Sequence, residues 1–239
     1  MIESPQNEKL KLLRKLRERK HREREGLFAT EGEDLLDAGL AAGEEPKFVL
    51  VAAGSGIEGE EVEPALLAEV STLGSSTRTI AVWSLHRAET PAFPCFYLHG
   101  VGDPGNVGTI IRTLDALVGS SAVLGPGTAD AYSPKAVRAS MGSIFTQPPI
   151  KADFDATPEP RVALVAHGGQ KLDTLAGAAT VCLGAEREGL PDEVLSACER
   201  RVTIPLREGG PESLNVAAAA AIAAQRLSSL AMTEAQPDA

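Results

Sequence analysis

The residues best suited to chemistry fall in three glycine-bearing stretches. In HGVGDPGNVGTIIR, residues 99–112, a strand runs into a turn at Asp103, Pro104 and Gly105, and Asn106 is expected to cap the next helix. Gly105 and Gly108 leave the start of that helix bare of side chains. Arg112 follows Gly108 by four residues, on the same helical face. An arginine beside a bare helix N-terminus suits a phosphate or a ribose. A weak surface pair with Asp115 on the same helix accounts for Arg112 equally well.

The second stretch, VCLGAEREGLP (residues 181–191), reads as a buried strand ending at Gly184, with Glu186 in a tight connection before a helix. Gly184 permits close approach of backbone to a ligand; an ordinary strand–turn–helix with a solvated acidic loop reads the same way. The third, VTIPLREGGPESLNVAAAAA (residues 202–221), is a strand end at Ile204 and Pro205, a glycine-proline loop, and an alanine-rich helix opened by Ser213 or Asn215. Small alanines let another backbone come close, in a core or between subunits. Familiar nucleotide loops are excluded. The spacing from Gly102 is G-x-x-G-x-x-G, neither a Rossmann fingerprint nor a Walker loop with its lysine. No G-x-S-x-G elbow occurs, and the four histidines have no metal-ligand spacing.

Something must position these stretches, and 239 residues suffice for one large or two small domains. The composition, 43% hydrophobic and 23% charged, is that of an ordinary globular chain able to bury a core unaided. No apolar run reaches the ~18–20 residues of a membrane helix, and the N-terminus lacks the apolar core of a secretory signal. Three cysteines, without C-x-x-C, point to a reducing compartment, hence the cytoplasm, and away from disulfide or zinc scaffolds. The net charge is −10, yet residues 1–26 hold nine Lys/Arg against five Glu. That basic segment is read either as an RNA contact or as a solvated helix with a Glu18–Arg22 pair and an apolar stripe of Leu10, Leu13 and Leu16.

Periodicity predicts a single helix over residues 8–24, a short strand at Leu27–Ala29, and a helix from Thr30, as N-cap, to about Ala42, with Glu33 completing a capping box. A buried strand at Phe48–Ala52, a helix over Glu60–Val70 and a strand at Thr79–Val82 complete a small α/β domain over 1–85. Residues 86–94, with two prolines and no period, form a linker. Beyond it, strands at 95–99, 121–124, 162–166, 180–183 and 201–204 alternate with helices at 107–116, 134–141, 191–197 and 214–230. Short apolar strands between helices predict a mostly parallel sheet covered on both faces, with ligands beyond the strands' carboxyl ends. Residues 157–160 and the tail 233–239 are expected to be mobile.

Together these stretches resemble the SpoU (TrmH-like) family of SPOUT methyltransferases. The matching segments are DPGNVGTIIRT, SPKAVRASMGSIF, LGAEREGL and IPL followed by ESLNVAAAAAI, in order over roughly residues 95–230. The N-terminal part, KLLRKLRERKHREREGLFATEGEDLLDAGLAAG, is similar to the small ribosomal-protein-like α/β domain many members carry. The resemblance implies an α/β fold: a parallel-sheet catalytic domain over 95–232 with a C-terminal trefoil knot, preceded by an RNA substrate-binding domain. It implies S-adenosylmethionine as cofactor, a homodimer, no metal, and methylation of a ribose 2′-hydroxyl in rRNA or tRNA. The alternatives are a non-catalytic RNA-binding or assembly protein, or base methylation on the same scaffold.

By position, the implied catalytic set is Asn106, Arg112, Glu186, Ser213 and Asn215. The implied cofactor set is Gly184, Ile204, Leu206 and Leu214, with His167 near the adenine. RNA contacts are expected from Arg14, Arg17, Lys20 and Arg22, and from Arg138. Ala185 stands where the family's second motif commonly carries Asn. An arginine keeps its proton at ordinary pH, so Arg112 is expected to clamp a phosphate and stabilise developing alkoxide charge rather than act as a literal base.

Overall fold

The computed structural model describes residues 1–73 and 77–234, which fall into two compact units. In chain order the elements begin with α1 (Glu8–Leu16), α2 (Arg19–Glu25), β1 (Leu27–Glu31), α3 (Glu33–Ala41), β2 (Phe48–Ala52), β3 (Glu60–Val62), α4 (Pro64–Val70) and β4 (Thr79–Ser84). They continue with β5 (Cys95–Leu98), α5 (Pro104–Val118), β6 (Ala122–Leu124), α6 (Pro134–Ser140), α7 (Ser143–Thr146), β7 (Ile150–Lys151) and β8 (Arg161–Leu164). The last are β9 (Thr180–Leu183), α8 (Asp192–Ser196), β10 (Arg200–Val202) and α9 (Val216–Glu234).

The first unit comprises Met1–His86 and Asp130–Thr146. Its sheet runs β1-β4-β2-β3, with β4 antiparallel to both neighbours and β3 parallel to β2. Leu10, Leu13 and Leu16 of α1 are buried with Leu50, Leu67, Ile80 and Val82. The expected single helix over 8–24 is broken at Arg17–Glu18, and the reason is Arg22. Its buried guanidinium donates to the carbonyls of Leu16 (2.6 Å) and Arg17 (2.8 Å), capping α1, and its other edge pairs with Asp130 at 2.6 Å. Arg22 therefore neither pairs with Glu18 nor faces outward, and its expected role as an RNA contact is withdrawn. Glu18 pairs with Lys20 instead.

Thr30 likewise lies inside β1 and does not cap α3; Gly32, at φ 101°, holds that position. The Thr30 hydroxyl accepts from the Trp83 indole (2.9 Å). Trp83 packs edge-on to Phe145, 4.9 Å between centroids, and a Cβ on Gly39 would lie 2.5 Å from its ring. The helix expected over 60–70 is the strand β3 followed by α4, whose first residue is Pro64.

The second unit comprises Arg87–Ala129 and Gln147–Ala239 and carries an all-parallel sheet in the order β10-β8-β9-β5-β6-β7. Every residue of the central strands β5 and β9 is buried, which explains why both are almost wholly apolar, with Thr180 the polar exception. Helices α5 and α9 pack together, and α9 buries Ala217, Ala220, Ala223 and Ala224. The two-residue β7 and four-residue α7 were too short for a periodic signal. Thr157, expected in a mobile stretch, is buried, and its carbonyl and hydroxyl accept from the Arg161 guanidinium. Of the expected tail, residues 235–239 lie outside the described residues. No helix among the described residues is long and apolar enough to cross a membrane.

Replacing Arg22 with alanine strands Asp130 and two carbonyls, so R22A is expected to lose about 3 kcal/mol of stability. Urea denaturation followed by the fluorescence of Trp83, the single tryptophan, reads this within the first unit.

Candidate functional site

Helix α5 starts at Pro104 because Asp103 caps it. The Asp103 carboxylate accepts from the backbone N–H of Gly105 (2.6 Å) and of Asn106 (3.1 Å). The capping role expected of Asn106 therefore belongs to Asp103, and the Asn106 amide is left to work elsewhere. Its Nδ2 donates to the Glu186 carboxylate, and its Oδ1 accepts from Asn215 Nδ2 at 3.1 Å.

Each partner is held in turn. Glu186 sits in a turn closed by two backbone hydrogen bonds between Ala185 and Gly189, 3.1 and 2.9 Å. That closure requires Gly184, where a Cβ would stand 2.1 Å from the carbonyl carbon of Gly189. Asn215 Oδ1 accepts from Ala217 N (2.9 Å) and Ala218 N (3.2 Å), so Asn215, rather than Ser213, caps α9. The three stretches read from sequence thus meet through one asparagine.

Beside this junction opens a cavity of about 630 Å³. The five residues expected at a cofactor, His167, Gly184, Ile204, Leu206 and Leu214, all line it, as do Glu186 and Ser213. Asn106, Arg112 and Asn215 are not among its lining residues. Arg112 is exposed on α5, with no hydrogen bond or ion pair among the described residues. Ser213 is exposed at the cavity, with no hydrogen-bond partner among them either.

The apolar wall includes Leu164, Val165, Leu190 and Leu195, which sequence reasoning did not single out. Behind Leu190 and Leu195 lies a cluster containing Tyr97, Cys182 and Val194, with Cys198 packed against it. Burial pushes the Tyr97 hydroxyl up to about 12, so it stays protonated. Contact with Cys198, reinforced by burial, pushes the Cys182 thiol up, and the same contact draws Cys198 down.

Of the cations expected at RNA, Arg14 donates to the Pro5 carbonyl and pairs with Glu69 at 3.1 Å, and Arg17 donates to the carbonyls of Glu69 and Ser71. Lys20 and Arg138 are exposed.

Residues 94–225 match the SpoU rRNA methylase family, and residues 7–86 match the MRM3-like substrate-binding domain. The chain belongs to the SpoU rRNA methylase family. Among its relatives is a 23S rRNA guanosine 2′-O-methyltransferase of Bacillus subtilis, 30% identical, with 92% of this chain and 96% of the relative covered. The structure of a TrmH-family protein from Porphyromonas gingivalis superposes with a TM-score of 0.79 at 33% identity, over 95% of this chain and 98% of that one. The AdoMet-bound rRNA methyltransferase of Sinorhizobium meliloti superposes at 0.81 with 27% identity, over 94% of this chain and 95% of that one.

A methyl group added at Gly184 must push the Ala185–Gly189 turn open. G184A is expected to lose about 1–3 kcal/mol of stability in denaturant titration and to be cleaved faster by trypsin after Arg187.

Proposed function

We propose that the chain transfers the methyl group of S-adenosylmethionine to a ribose 2′-hydroxyl of rRNA. The observation that carries this reading is the bond chain Asn215–Asn106–Glu186, which ties the family's three motifs together at the edge of the cavity. Membership of the SpoU rRNA methylase family and the ribose-methylating relative support it.

The residues present fit the cofactor. The cavity lies within the ~300–1,000 Å³ range of small-molecule sites. Leucine, isoleucine and valine side chains give an apolar lining suited to a planar base, and the backbone of Gly184 lies in the same lining. His167 and the backbone around Ile204, Leu206 and Leu214 would hold it. When bound, S-adenosylmethionine supplies a methyl already activated by its sulfonium, so the remaining difficulty lies with the acceptor.

A ribose hydroxyl is a poor nucleophile until its proton leaves. Arg112, free of any intramolecular pair among the described residues, brings an unspent guanidinium that clamps the neighbouring phosphate and stabilises developing negative charge on the oxygen. Asn106 and Asn215 hold the loops so that the hydroxyl oxygen lines up with the methyl, which removes much of the entropic cost. Ser213, with its hydroxyl unspent, orients the ribose. Lys20 and Arg138 on the first unit contact the RNA backbone.

The acting form is a homodimer. The support is an apolar groove on the second unit lined by Phe93, Leu117, Leu227, Leu230 and Met232, where Phe93 is 65% and Met232 70% exposed. Light scattering is expected to give twice the chain mass of 24.9 kDa, and Phe93→Asp to shift it towards the single chain.

Methyl transfer from labelled cofactor to rRNA is expected in the wild type and to fall at least about a hundredfold in R112A, the scale of losing one preorganised charge stabiliser. Cofactor affinity in R112A should stay unchanged. Nucleoside digestion and mass spectrometry should place the methyl on the ribose; a methylated base would overturn the assignment.

A further inference from the structure

The loop 166–169 leaves β8 and comes back against the same short strand, β10. Val165 N donates to the Val202 carbonyl (2.9 Å), Gln170 N donates to Arg201 O (2.8 Å), and Thr203 N donates to Gln170 O (3.0 Å). The excursion between those stems carries Ala166 and His167, both at the cavity. Inside it, the backbone N–H of Gly169 donates to the Thr203 hydroxyl at 2.8 Å. The contact is as close as backbone allows. A Cβ at Gly169 would stand 2.6 Å from Thr203 Oγ1, 2.6 Å from Val202 C and 2.7 Å from Thr203 N.

Thr203 immediately precedes Ile204 and lies three residues before Leu206, which line another wall of the same cavity. Its hydroxyl therefore joins two walls that share no other side-chain hydrogen bond among the described residues. Val165 and Gln170 fasten the stems by backbone alone, so the side chain of Thr203 is what fastens the loop itself, at its last residue, Gly169. Gly168, at φ 73°, makes the reversal that brings the Gly169 N–H round to that hydroxyl.

We infer that Thr203 is a positioning residue of the cofactor pocket, setting the distance between the Ala166–His167 wall and the Ile204–Leu206 wall. This rests on the proposed cofactor site. It assigns a role in ground-state affinity and none in the chemical step, because Thr203 touches neither the Asn106 junction nor Arg112.

The test is calorimetric titration of the full chain with S-adenosylhomocysteine, together with steady-state methylation of rRNA. Thr203→Val keeps the shape and removes the acceptor. It is expected to raise the Kd for S-adenosylhomocysteine and the KM for S-adenosylmethionine about five- to tenfold, the scale of one lost hydrogen bond. The kcat at saturating cofactor and the KM for RNA should stay within about twofold of wild type, and Thr203→Ser should restore the Kd. Gly169→Ala attacks the same contact from the other side and should raise the Kd likewise, which keeps the test open if T203V fails to fold. A wild-type Kd in either folded variant, or a serine variant as weak as valine, overturns the role of Thr203. A wild-type chain that does not bind S-adenosylhomocysteine overturns the proposed cofactor site, and this inference with it.

Discussion

Asn106 is the point on which the second unit's site depends. A carboxamide offers a donor and an acceptor at its two ends, and both are used, towards residues 80 and 109 positions further along the chain. Aspartate there would set a second carboxylate against Glu186, and serine would be too short to bridge. The amide is available only because Asp103 satisfies the first N–H groups of α5. The far end is fixed because Asn215 spends its own oxygen on capping α9. Two helix starts are thereby locked to one turn, and the cavity opens where they meet.

The walls of that cavity are built as much from backbone as from side chains. The Ala185–Gly189 turn folds back against Gly184 at a distance that excludes a methyl group, and Gly169 lies against β10 under the same restriction. The glycines that look like punctuation in the sequence are thus measures of chain-to-chain distance. A parallel sheet delivers these loops to one edge because its strands all end in the same direction.

Much of this was legible beforehand. The buried strands read as apolar runs, the parallel sheet followed from their alternation with helices, and the family followed from its ordered motifs. The losses have physical reasons. Asp103 directly before Pro104 is itself a helix-start signal, yet Asn106, two residues inside the helix, was credited with the cap. Arg22 looked like one cation in a basic run, because no local pattern reveals that Asp130, 108 residues away, buries it. Residues 130–146 belong to the first unit although they are flanked on both sides by the second, and nothing in composition marks those crossings. Thr203 carries no pattern at all, since its contact with Gly169 exists only once two distant loops are folded together.

The burial of Arg22 also bears on how the protein meets a polyanion. Of the cations in the N-terminal segment, Arg22 is spent on carbonyls and Asp130, Arg14 on Glu69, and Arg17 on two backbone oxygens. Lys9, Lys11, Arg19, Lys20 and Arg24 also pair with glutamates, which leaves few cations to displace condensed counterions from a phosphate backbone, and the chain as a whole is acidic. RNA docking at this surface, as proposed above, would therefore be only weakly coupled to ionic strength. Discrimination among RNAs would then fall to shape rather than to bulk electrostatic attraction.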